Sequence, residues 1–233
     1  DTHALEESLK LKDKYGFRVA AISMGPPSAE VTLRKTLSLG ADEAILLSDR
    51  AFGGADTLAT SRVIAEAIHR LGQKEEIAMV ICGKQTIDGD TAQVGPGIAS
   101  RLKYVQLTLV DQIQSVDLSA KKMRVRRKLE GRHEIVEAPL PAVITVVREI
   151  NLPRYPTVPM KLISKDAKVE LWDNKVLKMD EETIGLRGSA TQVRKIFSPQ
   201  RPKGEILGDG VNKPDDAAHL LIDTLLEKDV ISL

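Results

Sequence analysis

The sequence predicts a doubly wound α/β fold on a mostly parallel sheet, with an antiparallel hairpin and an extended C-terminal arm. Three observations carry that prediction. Residues 19–22, 44–47 and 77–81 are aliphatic runs without polar alternation, the pattern of strands buried on both faces. Amphipathic helical stretches separate them, so strand and helix alternate as in units whose crossovers are right-handed. After Leu102 the runs give way to alternation: Met123, Val125 and Leu129 sit among Lys and Arg, which describes a strand with one solvated face.

Ala4, Ser8, Leu11 and Tyr15, with Leu5 and Leu9 beside them, share one face of an opening helix that Gly16 stops. Residues 19–22 form a strand turning at Met24-Gly25-Pro26-Pro27. Leu33 and Leu37, one turn apart, put a helix over residues 29–39, closed by Gly40, and residues 44–47 are the second strand. Ile64, Ile68 and Leu71 face one way on a helix over residues 57–70, and residues 77–81 are the third strand. A helix holding Ile98, Ala99 and Leu102 follows, then a strand over residues 105–110. Gly131 separates the basic strand from its return segment, residues 133–137, and residues 142–147 are a further aliphatic strand. Pro153, Pro156 and Pro159 cannot lie inside a central strand, so that stretch reads as loop. Pro214, Asp215 and Asp216 open a last helix with Ala217, Leu221 and Leu225 on its face. The chain beyond Leu177 is otherwise polar, which divides it into a nucleotide-binding α/β domain, residues 1–179, and an arm, residues 180–233.

Composition excludes several classes of function. With 233 residues the chain suits one core plus an extension. It is 42% hydrophobic and 29% charged, and no apolar run approaches the roughly 20 residues that cross a bilayer, so no membrane insertion is read. A net charge of +1 and 3% aromatic content give no nucleic-acid footprint, and the basic cluster at residues 121–128 is the solvated face of its strand. His3, His69, His133 and His219 match no metal-ligand spacing, and no side chain is read as a general acid or base. Residues 1–11 are charged and helix-like, unlike a signal peptide, and a start in a helix without methionine points to a preceding leader. Cys82, the single cysteine, allows no internal disulfide and fits a reducing cytoplasm; with no His motif beside it, it reads as a small buried residue and not a nucleophile.

Three loops carry the chemistry. The first, Gly83-Lys84-Gln85-Thr86-Ile87-Asp88-Gly89-Asp90-Thr91-Ala92-Gln93-Val94-Gly95-Pro96-Gly97, leaves the third strand and enters a helix. Unpaired amides and a positive dipole at a helix start let Gln93, Val94 and Gly95 hold a pyrophosphate without cationic side chains, and Pro96 fits the first turn. An ordinary turn capped by Asp90 or Thr91 explains the spacing equally well. Neither a GxGxxG nor a GxxxxGK[ST] pattern is present. The second loop, residues 49–61, has Gly53 and Gly54 for close backbone approach, with Asp56, Thr57 and Thr60 as helix caps or ligand contacts. The third is Met24-Gly25-Pro26-Pro27. Loops at the carboxyl ends of parallel strands make a nucleotide cleft.

Along nearly its whole length the chain resembles electron-transferring flavoprotein β subunits, the FixA family, most specifically in the stretch from Gly83 to Gly95 quoted above. A second block fits as well: Arg127, Glu130, Gly131, Glu134, Pro141, Val143, Ile144 and Thr145, with Arg132 departing where Gly or an acidic residue is usual. The resemblance implies a Rossmann-like, adenine-nucleotide-hydrolase-like fold whose first strand precedes the position of Asp1. It also implies a cleft holding FAD or, alternatively, a structural AMP. The loop at residues 49–61 looks like that of the electron-bifurcating branch, in which FAD accepts hydride from NADH.

By that resemblance the adenosine and phosphates are surrounded by Asp1, Met24, Gly25, Cys82, Gly83, Thr86, Ile87, Asp88, Gly89, Asp90, Thr91, Ala92, Gln93, Val94, Gly95, Pro96 and Gly97. Gly54, Asp56, Thr57 and Thr60 approach the flavin side. The implied partners are the α subunit of the flavoprotein, ferredoxin or flavodoxin, and an acyl-CoA dehydrogenase. The dehydrogenase docks on residues 150–165 with Leu152 or Met160 as anchor, and the arm, including Ile184-Gly185-Leu186-Arg187-Gly188-Ser189, wraps the α subunit. Two other readings compete: a non-bifurcating subunit with structural AMP, and an adenine-nucleotide hydrolase or ATP sensor on a related fold.

Overall fold

The structure, a computed structural model, describes residues 1–198 and 203–231. The chain divides into two compact units, Asp1–Gln192 and Val193–Leu233. In the first, α1 (Thr2–Tyr15) buries Ala4, Leu9 and Leu11 and ends at Gly16. There a left-handed backbone (φ 75°) lets the Gly16 amide donate to the carbonyl of Lys12. The predicted alternation follows: β1 (Ala20–Met24), α2 (Glu30–Leu39), β2 (Glu43–Leu47), α3 (Thr57–Gly72), β3 (Met79–Gly83) and α4 (Val94–Leu102).

Beyond α4 come β4 (Val105–Asp117), β5 (Lys122–Leu129), β6 (Arg132–Pro139) and β7 (Ala142–Val146). The expected hairpin is β5–β6, paired antiparallel from Lys122↔Pro139 to Leu129↔Arg132. β4 continues past Val110 because a bulge absorbs the change of direction: Leu109 sits at φ 59°, and its amide donates to Thr145 Oγ1 at 3.1 Å.

The proline-rich stretch is not all loop. Thr157 caps α5 (Val158–Asp166) by accepting from the Met160 amide at 3.4 Å, and Pro159 occupies the first turn. A proline there costs no hydrogen bond, so the prolines that rule out a central strand start a helix instead. A short strand that the sequence reading does not contain, β8 (Glu170–Trp172), follows, and then α6 (Asn174–Leu177).

Among the described residues the strands form two sheets: a parallel one, β1-β2-β8, and a mixed one, β3-β7-β4-β5-β6. β7 is buried throughout and β2 in all but its first residue, Glu43, and their aliphatic side chains face helices on both sides. Residues 180–192, which the sequence reading assigns to the arm, pack with this unit. Ile184 is fully buried against Phe52, Val63 and Trp172 in the cluster under α3.

In the second unit, α7 (Pro214–Glu227) starts with Pro214 in its first turn and Asp215 and Asp216 beside the positive end of its dipole. Leu220, Leu221 and Ile222 are exposed on it.

Candidate functional site

The loops after β1, β2 and β3 all leave the carboxyl edge of the parallel strands, and a cavity of about 1260 Å3 opens there. Of the residues predicted for the site, Asp1, Met24, Thr57, Thr60, Cys82, Gly83, Thr86, Gly89, Thr91, Ala92, Gln93, Val94 and Gly95 line it. Gly25, Gly54, Asp56, Asp88, Asp90, Pro96 and Gly97 are not part of its lining, and Ile87 projects instead into a neighbouring cavity of about 640 Å3. That second space has Lys84, Lys128 and Arg148 around it and Leu109 of the β4 bulge in its lining.

The start of α4 settles the choice between a capped turn and an open one. Gln93 is its N-cap and no side chain accepts a hydrogen bond from the first turn, so neither Asp90 nor Thr91 caps it. The approach to it is strained, with Asp90 at φ 52° and Ala92 at φ 55°, conformations that cost non-glycine residues of order 1–3 kcal/mol each. Thr57 Oγ1 donates to Gln93 Oε1 at 2.7 Å and ties this loop to the start of α3. Gln85 and Asp90 pair across the loop.

Two glycines of the predicted phosphate-binding stretch, Gly95 and Gly97, are also close packing contacts. A Cβ on Gly95 would lie 2.6 Å from Thr145 Cγ2 and 3.0 Å from Cys82 Sγ, so α4 can rest on β3 and β7 only without one. A Cβ on Gly97 would lie 2.7 Å from Ser61 Oγ, where α3 and α4 meet. These two contacts set the height of the α4 start above the strand ends. Burial pushes the Cys82 thiol up to about 11, so it stays protonated, and its sulfur lies 3.6 Å from the Ile144 carbonyl it donates to.

The loop after β2 is committed differently. Asp56 caps α3 by accepting from the Ala59 amide at 3.0 Å, while its other oxygen accepts from the Thr191 amide and hydroxyl at 3.0 and 3.1 Å. Leu186 packs on Gly54, and its amide donates to the Gly53 carbonyl at 3.0 Å. Residues 184–191 thus latch onto the loop, through Thr191, Leu186 and Ser189, none of which spacing could pick out. Burial raises the Asp56 carboxyl, but the amides of Ala59, Thr191 and Ala190 and the Thr191 hydroxyl outweigh it and hold the pKa below the ordinary carboxylate value.

A carboxylate with a depressed folded-state pKa stabilises above its unfolded value of about 3.9 and loses that stabilisation as pH falls through the folded value. Asp56→Ala is therefore expected to cost about 0.5–2 kcal/mol at pH 7, read in urea denaturation, with the difference from wild type shrinking below about pH 4. A penalty of the same size at pH 2.5 would show that the charge is not what holds the latch.

The electron transfer flavoprotein domain model matches residues 1–177. The electron transfer flavoprotein subunit beta of Clostridium acetobutylicum is 43% identical over 232 residues, covering 99% of this chain and 86% of the relative. The chain belongs to the electron transfer flavoprotein β-subunit family. Protein FixA of Azotobacter vinelandii is 47% identical over 201 residues, 86% of this chain and 72% of the relative. The caffeyl-CoA reductase-Etf complex subunit CarD of Acetobacterium woodii is 42% identical over 234 residues, 99% of this chain and 86% of the relative. A flavoprotein β subunit of this kind is an electron-transfer protein with an α-subunit partner. Among the described residues no helix is long and apolar enough to cross a membrane.

Proposed function

We propose that this chain holds FAD in the cleft at the carboxyl edge of β1 and β3, as the β subunit of an NADH-dependent, electron-bifurcating flavoprotein. The observation that carries this reading is the start of α4, where first-turn amides without a side-chain cap lie over a large cavity, with the neutral Thr57, Thr60, Thr91 and Gln93 among its lining. Such a site suits a diphosphate, whose charge the helix dipole and amides offset. Bound FAD supplies hydride acceptance from NADH and the release of two electrons separately, one to ferredoxin or flavodoxin and one, through the FAD of the α subunit, to an acyl-CoA dehydrogenase.

The chain's own residues bind and orient. Val94 and Gly95 present amides, Gln93 is fixed by Thr57, and Met24, Cys82 and Gly83 form the floor. For the dehydrogenase, Leu152 and Tyr155 are almost fully exposed on a segment whose Arg154 and Asn151 are fastened to α1. Rigid, exposed apolar side chains of this kind serve transient recognition. CarD, named for a caffeyl-CoA reductase complex, supports an acyl-CoA-type partner here. The part of the arm beyond Gln192 wraps the α subunit in this reading, with the exposed Leu220, Leu221 and Ile222 of α7 available to it.

A second reading, structural AMP in a non-bifurcating subunit, is favoured by the latch. Gly54 and Asp56, assigned to the flavin side, are already engaged by Leu186 and Thr191. Purifying the αβ complex and counting nucleotides decides between them. Two FAD per heterodimer and NADH-dependent flavin reduction are expected; one FAD with one AMP would overturn the bifurcating reading in favour of the second.

A further inference from the structure

Half-buried arginines elsewhere in the first unit are answered by carboxylates: Arg34 by Glu30, Arg126 by Asp111, Arg127 by Glu134, and Arg154 by Glu6 and Asp13. Arg62 of α3 and Arg101 of α4, also half-buried, are held by carbonyls alone. Arg101 turns back along α4, where Nη1 donates to the Gly97 carbonyl at 3.0 Å and Nη2 to the Leu58 carbonyl of α3 at 3.3 Å. Arg62 Nη1 donates to the carbonyls of Thr183 and Gly188 at 3.1 and 3.2 Å. Among the described residues neither arginine forms an ion pair, although Glu66 stands one turn along α3 from Arg62.

Carbonyl oxygens fix a guanidinium in place without neutralising it. Nε and Nη2 of Arg62 and Nε of Arg101 keep no protein acceptor among the described residues, so both donors and charge remain on offer. The two groups are close enough to repel. Burial first, and then the charge of Arg62, push the Arg101 pKa below its ordinary value, with no carboxylate to offset them. Asp56, at the head of the same helix, is taken up by the Ala59 amide and by Thr191.

The pair lies beside the nucleotide cleft and outside it. Arg101 meets α3 at Leu58, the residue after Thr57, which lines the cleft and bonds to Gln93 at the start of α4. Neither arginine lines either cavity. Leu58 is exposed and stands one turn from Arg62 on the same face of α3. The cations around the second cavity differ, because Lys128 there pairs with Glu149. An exposed apolar side chain beside two fixed, unanswered cations suits a small, electrostatically guided contact with an acidic surface.

We propose that the crest formed by Leu58, Arg62 and Arg101 docks the low-potential electron acceptor, a small acidic carrier protein whose carboxylates take up the two guanidiniums. This assignment rests on the bifurcating reading, in which the carrier must approach the cleft, collect one electron and leave. Preformed cations one residue from the cleft lining speed the encounter, and a small contact lets the reduced carrier go. A planar guanidinium fork also suits a carboxylate in two-point contact.

Steady-state reduction of an acidic flavodoxin by NADH tests it, in the αβ complex supplied with its high-potential acceptor. At low ionic strength, kcat/KM for flavodoxin is expected to fall about threefold to tenfold in Arg101→Gln and about thirtyfold or more in Arg101→Glu, with kcat within about twofold of wild type. Both differences should close as salt shortens the screening length from about 30 Å at 0.01 M to about 8 Å at 0.15 M. Arg101→Lys keeps the charge and should restore most of the wild-type value. The rate of flavin reduction by NADH, the affinity between the subunits and the thermal midpoint of Arg101→Gln should not move, and that milder variant decides the matter if Arg101→Glu unfolds. A wild-type complex that reduces no flavodoxin with NADH would overturn this assignment together with the bifurcating reading. A working wild type whose Arg101 variants keep both its rate and its salt dependence would overturn the assignment alone. Weakened subunit affinity, with flavodoxin reduction per assembled complex unchanged, would give the arginines to the α subunit and overturn it as well.

Discussion

In the αβ complex, Gly95→Ala is expected to weaken nucleotide binding by about tenfold to a hundredfold, and adding Thr145→Ser is expected to restore most of it. Two effects oppose each other. Alanine favours a helix over glycine by about 1 kcal/mol, while forcing a methyl into a packed contact costs about 1–3 kcal/mol. At 2.6 Å from Thr145 Cγ2 the methyl cannot be accommodated in place, and the other near atom, Cys82 Sγ at 3.0 Å, belongs to a partly buried strand residue. The helix start must lift, carrying the Val94 and Gly95 amides away from a ligand seated on the strand ends. Each 1.4 kcal/mol is a factor of ten in affinity, which sets the expected range. Thr145→Ser removes the clashing methyl and keeps the hydroxyl that accepts from the Leu109 amide at 3.1 Å, so the β4 bulge survives. Isothermal titration with FAD and AMP, beside thermal melts, reads the outcome. Unchanged affinity in Gly95→Ala would mean that the closeness of α4 to the sheet does not place its amides.

The alternating strands and helices of residues 1–102 were legible because each aliphatic run and each helical stripe reports its own local environment. The end of α1 at Gly16 and the opening of α7 at Pro214 were equally local. What could not be read depended on contacts distant in the chain. β8 is a three-residue strand recognisable only once it pairs with β2, and α5 hides behind prolines that argue against a strand without arguing against a helix start. In the site, spacing found the loop from Gly83 to Gly95 but could not separate an open helix start from a capped one. That required the backbone at Gln93. It also could not show that Asp56 answers to Thr191, a partner 135 residues away.

Arg154→Ala should produce the second large effect, on stability and on docking together. The Glu6 carboxylate on α1 is almost fully buried, and Arg154 supplies its charge partner through Nε at 2.9 Å and Nη2 at 3.2 Å, while Nη2 also reaches Asp13 at 2.8 Å. The hydrogen bonds it donates to Glu6, then to Asp13, hold the guanidinium pKa above its ordinary value, so the charge is constant across any accessible pH. Removing one partner of a buried pair costs about 3–5 kcal/mol; because about a third of the Arg154 side chain is open to water, and its backbone amide still donates to Glu6, a loss of about 2–3 kcal/mol is expected. Arg154→Lys should fall between, since one ammonium cannot bridge both carboxylates as the planar fork does. Glu6→Gln in the Arg154→Ala background should recover part of the loss, because a neutral amide tolerates burial better than an unpaired charge. Leu152 and Tyr155 flank this anchor and are presented by it, so freeing the segment makes any docking partner order it again, at about 0.5–1.5 kcal/mol per immobilised side chain. Affinity for the proposed dehydrogenase partner should accordingly fall by roughly tenfold even at temperatures where the variant is fully folded. Wild-type stability in urea for Arg154→Ala would show that water alone satisfies Glu6, and unchanged docking would separate the exposed apolar pair from the ion pair that fastens it.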